Sequence, residues 1–160
     1  MSPDIALAPV RVSIAVKGTP TQCFDAFVSG MQHWWNPHRH LSAGPIDRMV
    51  IEPFAGGRWY EATQDGRESD WGRVAVWAPP HRLVLIWQVT PEGRFEENFR
   101  SEVSVTFSVV ADRTRIDLEH SGLEHLGEAG ARLRRGLASD EGWPGSLSRL
   151  GREMLRELRG

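Results

Sequence analysis

The chain has little cysteine and little tyrosine, with one residue of each among 160. A single thiol, that of Cys23, excludes a disulfide within the chain and a zinc site built from several cysteines. Sparse cysteine is typical of a reducing compartment, so we expect a cytoplasmic protein.

Long apolar runs and an excess of one charge are also missing. No apolar stretch approaches the roughly 20 residues that cross a bilayer, which excludes a membrane span. The first nine residues, MSPDIALAP, lack the basic and then apolar regions of a signal peptide. Nineteen Lys and Arg against 21 Asp and Glu give a net charge of −2. A sequence-independent nucleic-acid binder needs a basic excess, so we expect no nucleic-acid partner.

Tryptophan is abundant by contrast, with seven residues in a chain that is 40% hydrophobic and 25% charged. Such a composition is typical of a folded globular protein. The length suits one domain over residues 1–160, because a chain of this size buries roughly 68–70% of its surface. Neither a repeat nor a low-complexity linker divides it.

Hydrophobic periodicity predicts strands along most of the chain. Alternation over Val10–Val16 indicates a half-buried strand. Thr19 and Pro20 are a good N-cap and first residue for a helix over 20–29. The segment Met31–His40 is aromatic and histidine-rich and is broken at Asn36-Pro37. Further strands are predicted at Arg48–Glu52, Arg58–Thr63, Trp71–Trp77, Arg82–Thr90, Ser101–Val110 and Thr114–His120.

The C-terminal part changes character. Residues 123–138 are predicted as a loop with a short helix. A longer helix follows, with one apolar stripe formed by Trp143, Leu147, Leu150, Met154 and Leu158.

Together these elements predict an α+β fold. A curved antiparallel sheet of about six or seven strands would grip the long C-terminal helix on its concave side, with one or two short helices after the first strand. A strongly curved sheet closed by one helix rarely fills completely, so we expect an internal cavity between them. A solidly filled centre would leave only a surface-contact role.

Several short motifs occur in one order over residues 9–159 and resemble those of a known family. The chain is similar to the START-like (SRPBCC) superfamily with its helix-grip fold, and within it to homologues of the activator of the heat-shock-protein ATPase. The carrying segments are Pro20–Phe27, Trp34-Trp35, Glu52–Glu61, Trp71–Val74, Pro79–Leu83, Trp87, Thr114–His120 and Gly142-Trp143.

This resemblance implies a hydrophobic-ligand carrier, a cyclase, a hydrolase or a chaperone partner, because function in such folds depends on the pocket. The co-chaperones that name the branch carry an additional domain. We expect no room for it in 160 residues, so ATPase activation is not inferred.

Aromatic side chains are the predicted ligand-binding residues, because rigid rings give a large contact area. Ordinary core packing is the alternative, and about half of the rings are expected to reach the cavity, since alternation sends neighbours to opposite faces. His120 joins them, since it shares a strand face with Ile116 and Leu118 and could act as acid, base or hydrogen-bond donor. A structural histidine is the alternative. The predicted set is Trp34, Trp35, Trp59, Tyr60, Trp71, Trp87, Phe107, His120 and Trp143.

The remaining histidines, carboxylates and glycine pairs form no recognisable cofactor or metal motif, so we expect neither a cofactor nor a metal. The spacing of His33, His38 and His40 matches no helical metal pair, and these residues suit an exposed entrance loop. Two carboxylates around the Asp65-Gly66 turn could do acid–base work if buried and close together, but most of the group is expected in solvent; its members are Glu61, Asp65, Glu68 and Asp70. The pair Gly56-Gly57 predicts a tight turn rather than a phosphate loop.

Three functions follow as hypotheses. The first is binding of a small hydrophobic or aromatic molecule in the cavity. The second is a cyclase, dehydratase or hydrolase that uses His120. The third is interaction with a protein partner, and the chain is expected as a monomer or homodimer.

Overall fold

A computed structural model describes residues 7–159, with side chains through Glu157. Seven strands form one antiparallel sheet. They are β1 (Val10–Lys17), β2 (Ile46–Ile51), β3 (Arg58–Thr63), β4 (Glu68–Ala78), β5 (Arg82–Trp87), β6 (Ser101–Val110) and β7 (Arg113–Ser121). Their spatial order is β1-β7-β6-β5-β4-β3-β2, so β1 and β2 are the two edges.

Four helices accompany the sheet. They are α1 (Pro20–Val28), α2 (Met31–Trp34), α3 (Gly127–Ala138) and α4 (Trp143–Arg159), and a 3-10 turn over Leu123–Leu126 precedes α3. A capping box starts α1: the Thr19 hydroxyl accepts from the Gln22 amide, and the Gln22 side chain accepts from the Thr19 amide.

Irregular pairing bends the sheet around the helices. The register shifts between Trp59 and Tyr60, where β3 pairs with β4, and again between Val74 and Val76, where β4 pairs with β5. Bulges increase local twist and curvature. At Gly72 a Cβ would lie 1.7 Å from the Ile86 carbonyl oxygen, so only glycine permits this close approach.

The long helix α4 lies across the concave side. It packs against β1 and against the shorter helices. Its buried stripe is made by Trp143, Leu147, Leu150 and Met154, as the periodicity predicts. The Leu158 side chain lies outside the described residues.

The predicted fold class is therefore confirmed, with seven strands and a C-terminal helix in the helix-grip arrangement. Two element predictions were wrong. Residues 127–138 form a 12-residue helix rather than mainly loop, because Leu133 and Leu137 supply a buried face to an otherwise polar segment. Strand β5 ends at Trp87, and Val89 forms only an isolated bridge with Phe95.

Within residues 7–159, none of the helices combines the length and the apolar character needed to cross a membrane.

Candidate ligand-binding site

Five indole rings meet on the concave side of the sheet. Three come from neighbouring strands: Trp59 on β3, Trp71 on β4 and Trp87 on β5. Trp143 begins α4, and Trp35 follows α2. The close ring centroids lie 5.1 to 6.3 Å apart, mostly in edge-to-face pairs. We call these five residues the indole cluster.

The indole cluster fills the space where a cavity was expected. Trp59 and Trp143 are almost wholly buried, and Trp35 is 9% exposed. The void between the cluster and the start of α4 is only about 10 Å³, which is space for about one water. The expectation of an open hollow was therefore wrong for this arrangement of the rings, because five large side chains converge from three strands and two helix ends.

His120 lies beside this cluster in a buried hydrogen-bond chain. The Trp143 indole N–H donates to His120 Nδ1 at 3.0 Å, and His120 Nε2 is 2.7 Å from Ser101 Oγ. Since Nδ1 accepts, the ring proton is on Nε2, which donates to the Ser101 hydroxyl. Burial lowers the pKa of His120 to about 3, so the ring is neutral at physiological pH.

Glu61 is a fully buried carboxylate at the edge of the cluster. It accepts hydrogen bonds from the backbone amides of Leu41 at 2.7 Å and Ser42 at 2.9 Å, and from the Trp71 indole at 2.8 Å. Among the described residues it forms no ion pair. A buried charge without a counterion depends on such donors.

The indole cluster contains one unsatisfied polar atom. Trp87 donates its N–H to Val89 O and Trp35 donates to Arg39 O. Trp59 Nε1 is buried and has no acceptor among the described residues. Buried donors are nearly always paired, so this unpaired N–H is an exception within the cluster.

A strap, defined as residues 35–45, closes the site between β3 and the start of α4. On its outer side lies an open groove of about 490 Å³ between α2, the strap and β2. Trp35 and Asn36 line both this groove and the small inner void. The Trp35 ring is thus the wall that separates the interior from the groove.

The other predicted ligand-binding residues lie outside the indole cluster. Trp34 contacts only Trp35 of the cluster, at 5.9 Å between ring centroids; its ring packs on Phe27 and its N–H donates to Ala26 O. Phe107 packs among Phe24 and Phe27 under α1. The Tyr60 ring is covered by the Arg58 guanidinium, 4.1 Å from the ring centroid.

The histidines after α1 do not converge on one point. His33 and His38 are exposed, whereas His40 is half-buried and its Nδ1 lies 2.7 Å from Ser42 O. Within the described part of the chain, no group of three or more His, Cys, Asp or Glu side chains could hold a metal ion. Cys23 is buried, and burial raises the pKa of its thiol.

Two site residues were missed from the sequence. Glu61 was grouped with the hairpin carboxylates expected in solvent, although its position two residues after Trp59 places it on the same strand face. Ser101 begins β6, and no sequence motif marked it as a site residue. The register of β6 and β7 brings it beside His120, and the sequence alone does not give that register.

Fold and site together define a member of the START-like, helix-grip superfamily. More narrowly, residues 17–154 match the family described as Activator of Hsp90 ATPase homolog 1-like protein, and the chain belongs to that family. A comparison with curated proteins finds no match.

Two similar solved structures have a sequence identity of about one third with this chain. One is an anthrahydroquino-γ-pyrone synthase, Txn09, which is 32% identical with a TM-score of 0.64. The match covers 91% of this chain and 96% of Txn09. The other is CalC, a self-sacrificing resistance protein from Micromonospora echinospora: identity 31%, TM-score 0.72, covering 95% and 97%. The Aha1 dimer from Colwellia psychrerythraea is 16% identical with a TM-score of 0.63, covering 92% and 96%, and supports the fold alone.

Proposed function

We propose that this protein binds a small, planar aromatic molecule between the curved sheet and the start of α4, in a space that forms only when a packed ring moves aside. A centre that stayed filled would leave only a surface-contact role. The observation that carries the proposal is the indole cluster, in which five rings from separate elements lie within 5.1 to 6.3 Å of a neighbour. Rigid aromatic surfaces of this kind suit flat apolar ligands, and each aromatic pair adds about 0.5–1.5 kcal/mol beyond area burial.

One of the relatives above 30% identity, Txn09, supports the same class of ligand. The name of Txn09 describes the synthesis of an anthrahydroquino-γ-pyrone, a fused aromatic system. CalC is described as a resistance protein. We transfer from Txn09 only the general class of fused aromatic compounds, and no reaction.

The test is a titration of tryptophan fluorescence and melting temperature with three probes of different shape: 9-fluorenone, cholesterol and oleic acid. We expect saturable quenching and a raised Tm with 9-fluorenone, because a ligand that binds only the folded state stabilises it. Trp77→Phe is the control, since Trp77 lies against Phe24 and outside the indole cluster. Absence of both effects with every probe would contradict the proposal.

Catalysis is the alternative suggested by the buried Ser101–His120 pair. A base must accept a proton from the serine hydroxyl, but Trp143 holds Nδ1 as the acceptor and so places the ring proton on Nε2, facing Ser101. We therefore rank ligand binding above catalysis. If a substrate were identified, unchanged turnover in His120→Ala would exclude a catalytic role for this histidine.

Association with a second copy is the other alternative. Strand β2 is an edge strand that pairs only with β3 among the described residues, and a groove of about 500 Å³ runs beside it past Phe24, Val28 and Met49. Free edges can pair across a two-fold axis. Light scattering over a wide concentration range tests this, and a monomer at every concentration would exclude it.

A further inference from the structure

Trp35 differs from the other members of the indole cluster in the type of segment to which it belongs. The other four belong to strands or to α4, whereas Trp35 belongs to the strap. Its ring lies 5.1 to 6.3 Å from the other four. Its indole N–H donates to Arg39 O at 2.6 Å, within the strap itself. No hydrogen bond of this ring therefore ties the strap to the rest of the protein.

The strap is attached to the body by a small set of polar contacts. Glu61 receives the Leu41 and Ser42 amides, and the Ser42 hydroxyl lies 2.9 Å from the Ser69 hydroxyl. At the other end, the Asn36 side chain donates to Glu141 O at 3.1 Å. Gly44, with φ of 91°, and Pro45 form the junction with β2. Two of these four hydrogen bonds end on the Glu61 carboxylate, and the partly buried Leu41 side chain packs against the hydrophobic core.

Movement of the Trp35 ring would join two spaces that it now separates. The outer groove holds about 490 Å³ and the inner void about 10 Å³, and Trp35 lines both. The space left by the ring would be bounded by Trp59, Trp71, Trp87 and Trp143. A flat aromatic ligand of similar width would make the same ring contacts there.

We propose that the Trp35 indole occupies the position of the ligand's ring, and that the strap opens to exchange one for the other. This inference rests on the proposed function and adds the polar chemistry of the ligand. Glu61 accepts a hydroxyl donor of the ligand, and Trp59 Nε1 donates to a carbonyl oxygen of the ligand. The ligand class is thus a planar polycyclic aromatic ketone that carries a phenolic hydroxyl.

The hydroxyl requirement follows from Glu61. When the strap opens, this carboxylate loses the Leu41 and Ser42 donors and keeps only the Trp71 indole. A buried carboxylate must regain a donor. The carbonyl requirement follows from Trp59 Nε1, which has no acceptor among the described residues while the Trp35 ring is in place.

The first test compares binding of 2-hydroxy-9-fluorenone to the unmodified protein, to Trp35→Ala and to the control Trp77→Ala. Removal of the competing ring removes the need for opening, so affinity rises about tenfold or more in Trp35→Ala and stays unchanged in Trp77→Ala. Weaker binding to Trp35→Ala than to the unmodified protein would show that the Trp35 ring helps to hold the ligand and does not compete with it, which overturns this inference and leaves the proposed function. No binding to either protein would overturn both.

The second test uses probes that differ by one group. We compare 2-hydroxy-9-fluorenone with 9-fluorenone, which lacks the hydroxyl, and with 2-hydroxyfluorene, which lacks the carbonyl. The unmodified protein should prefer the first over each of the others by roughly tenfold. Glu61→Gln should lose the hydroxyl preference alone, and Trp59→Phe the carbonyl preference alone.

Trp77→Phe is the matched control for the second test, because it makes the same ring change outside the indole cluster, where Trp77 lies against Phe24. It should keep both preferences. Preferences that survive unchanged in Glu61→Gln and Trp59→Phe would overturn the assignment of these two residues.

The third test needs no ligand and no substitution. Hydrogen exchange of the Leu41 and Ser42 amides should be at least about 100-fold faster than that of Val105 in the sheet centre, because strap opening requires only local unfolding. Exchange of these amides only through global unfolding, with the same urea dependence as Val105, would overturn the opening of the strap.

Discussion

At the scale of single residues, the His120 environment fixes both a tautomer and a charge. The indole of Trp143 occupies Nδ1 and the hydroxyl of Ser101 faces Nε2. Every polar atom of the imidazole is therefore satisfied in its neutral form. The sequence placed His120 correctly on the core face of β7, but only the structure shows which atoms surround it.

This environment predicts a pH dependence of stability. Burial lowers the pKa of His120 to about 3, from an ordinary 6.5. Between these values the unfolded chain binds a proton that the native protein does not. The contribution is therefore fully present above about pH 6.5 and is lost as the pH falls towards 3, at up to about 1.4 kcal/mol per pH unit.

Urea unfolding at pH 7 and pH 5 measures this effect. We expect the unmodified protein to lose more stability over this interval than His120→Gln, which lacks the titrating ring. A ¹⁵N spectrum should also show the Nε2–H tautomer unchanged between these pH values. An equal pH dependence in both proteins would contradict a buried neutral histidine.

At the scale of elements, one glycine, Gly72, allows the backbones of β4 and β5 to approach closely. Gly72 lies directly after Trp71 in the irregular part of β4, and a Cβ there would meet the Ile86 carbonyl at 1.7 Å. That approach positions two neighbouring rings of the indole cluster, Trp71 and Trp87.

Gly72→Ala should therefore destabilise the protein by about 3 kcal/mol or more, because the β4–β5 backbones must separate. Gly151→Ala is the matched control: its Cβ would meet only Val16 Cγ1, at 3.5 Å, and it lies inside α4. Alanine favours helix, so the control should be neutral or up to about 1 kcal/mol more stable. Urea denaturation measures both, and equal effects would contradict this account of Gly72.

Two elements, β6 and α3, show how much secondary structure the sequence alone could predict. Period-two alternation predicted β6 to the residue, since Val103, Val105 and Phe107 lie on one buried face. Helix α3 was underestimated because its composition is polar and contains three glycines within Gly127–Ala138. Its two leucines can be identified as core residues only from their tertiary contacts with neighbouring elements.

At the scale of the whole molecule, the sequence predicted that aromatic residues gather between the sheet and the final helix, but not how they pack. Trp59, Trp71, Trp87 and Trp143 do lie together there, and their binding of a ligand stays a prediction. Sequence periodicity gives no volume, so it could not show that these rings fill the space. The strap carries no period at all, and its contact with Glu61 spans 20 residues.

The filled interior changes what a ligand must do. Binding between the sheet and α4 requires displacement of packed rings, and the strap is attached to the rest of the protein by few hydrogen bonds. Affinity then depends on the fraction of molecules whose strap is open. Under the proposed mechanism, ligands are selected by shape and by the two polar groups at Glu61 and Trp59.

The most direct test of ligand binding at the indole cluster is a ¹H–¹⁵N spectrum of assigned indole N–H groups during titration with 2-hydroxy-9-fluorenone. We predict saturable shifts for Trp35, Trp59 and Trp71, with the Trp77 signal unchanged as an internal reference. Signals that stay fixed for all three residues at saturating probe would contradict the account.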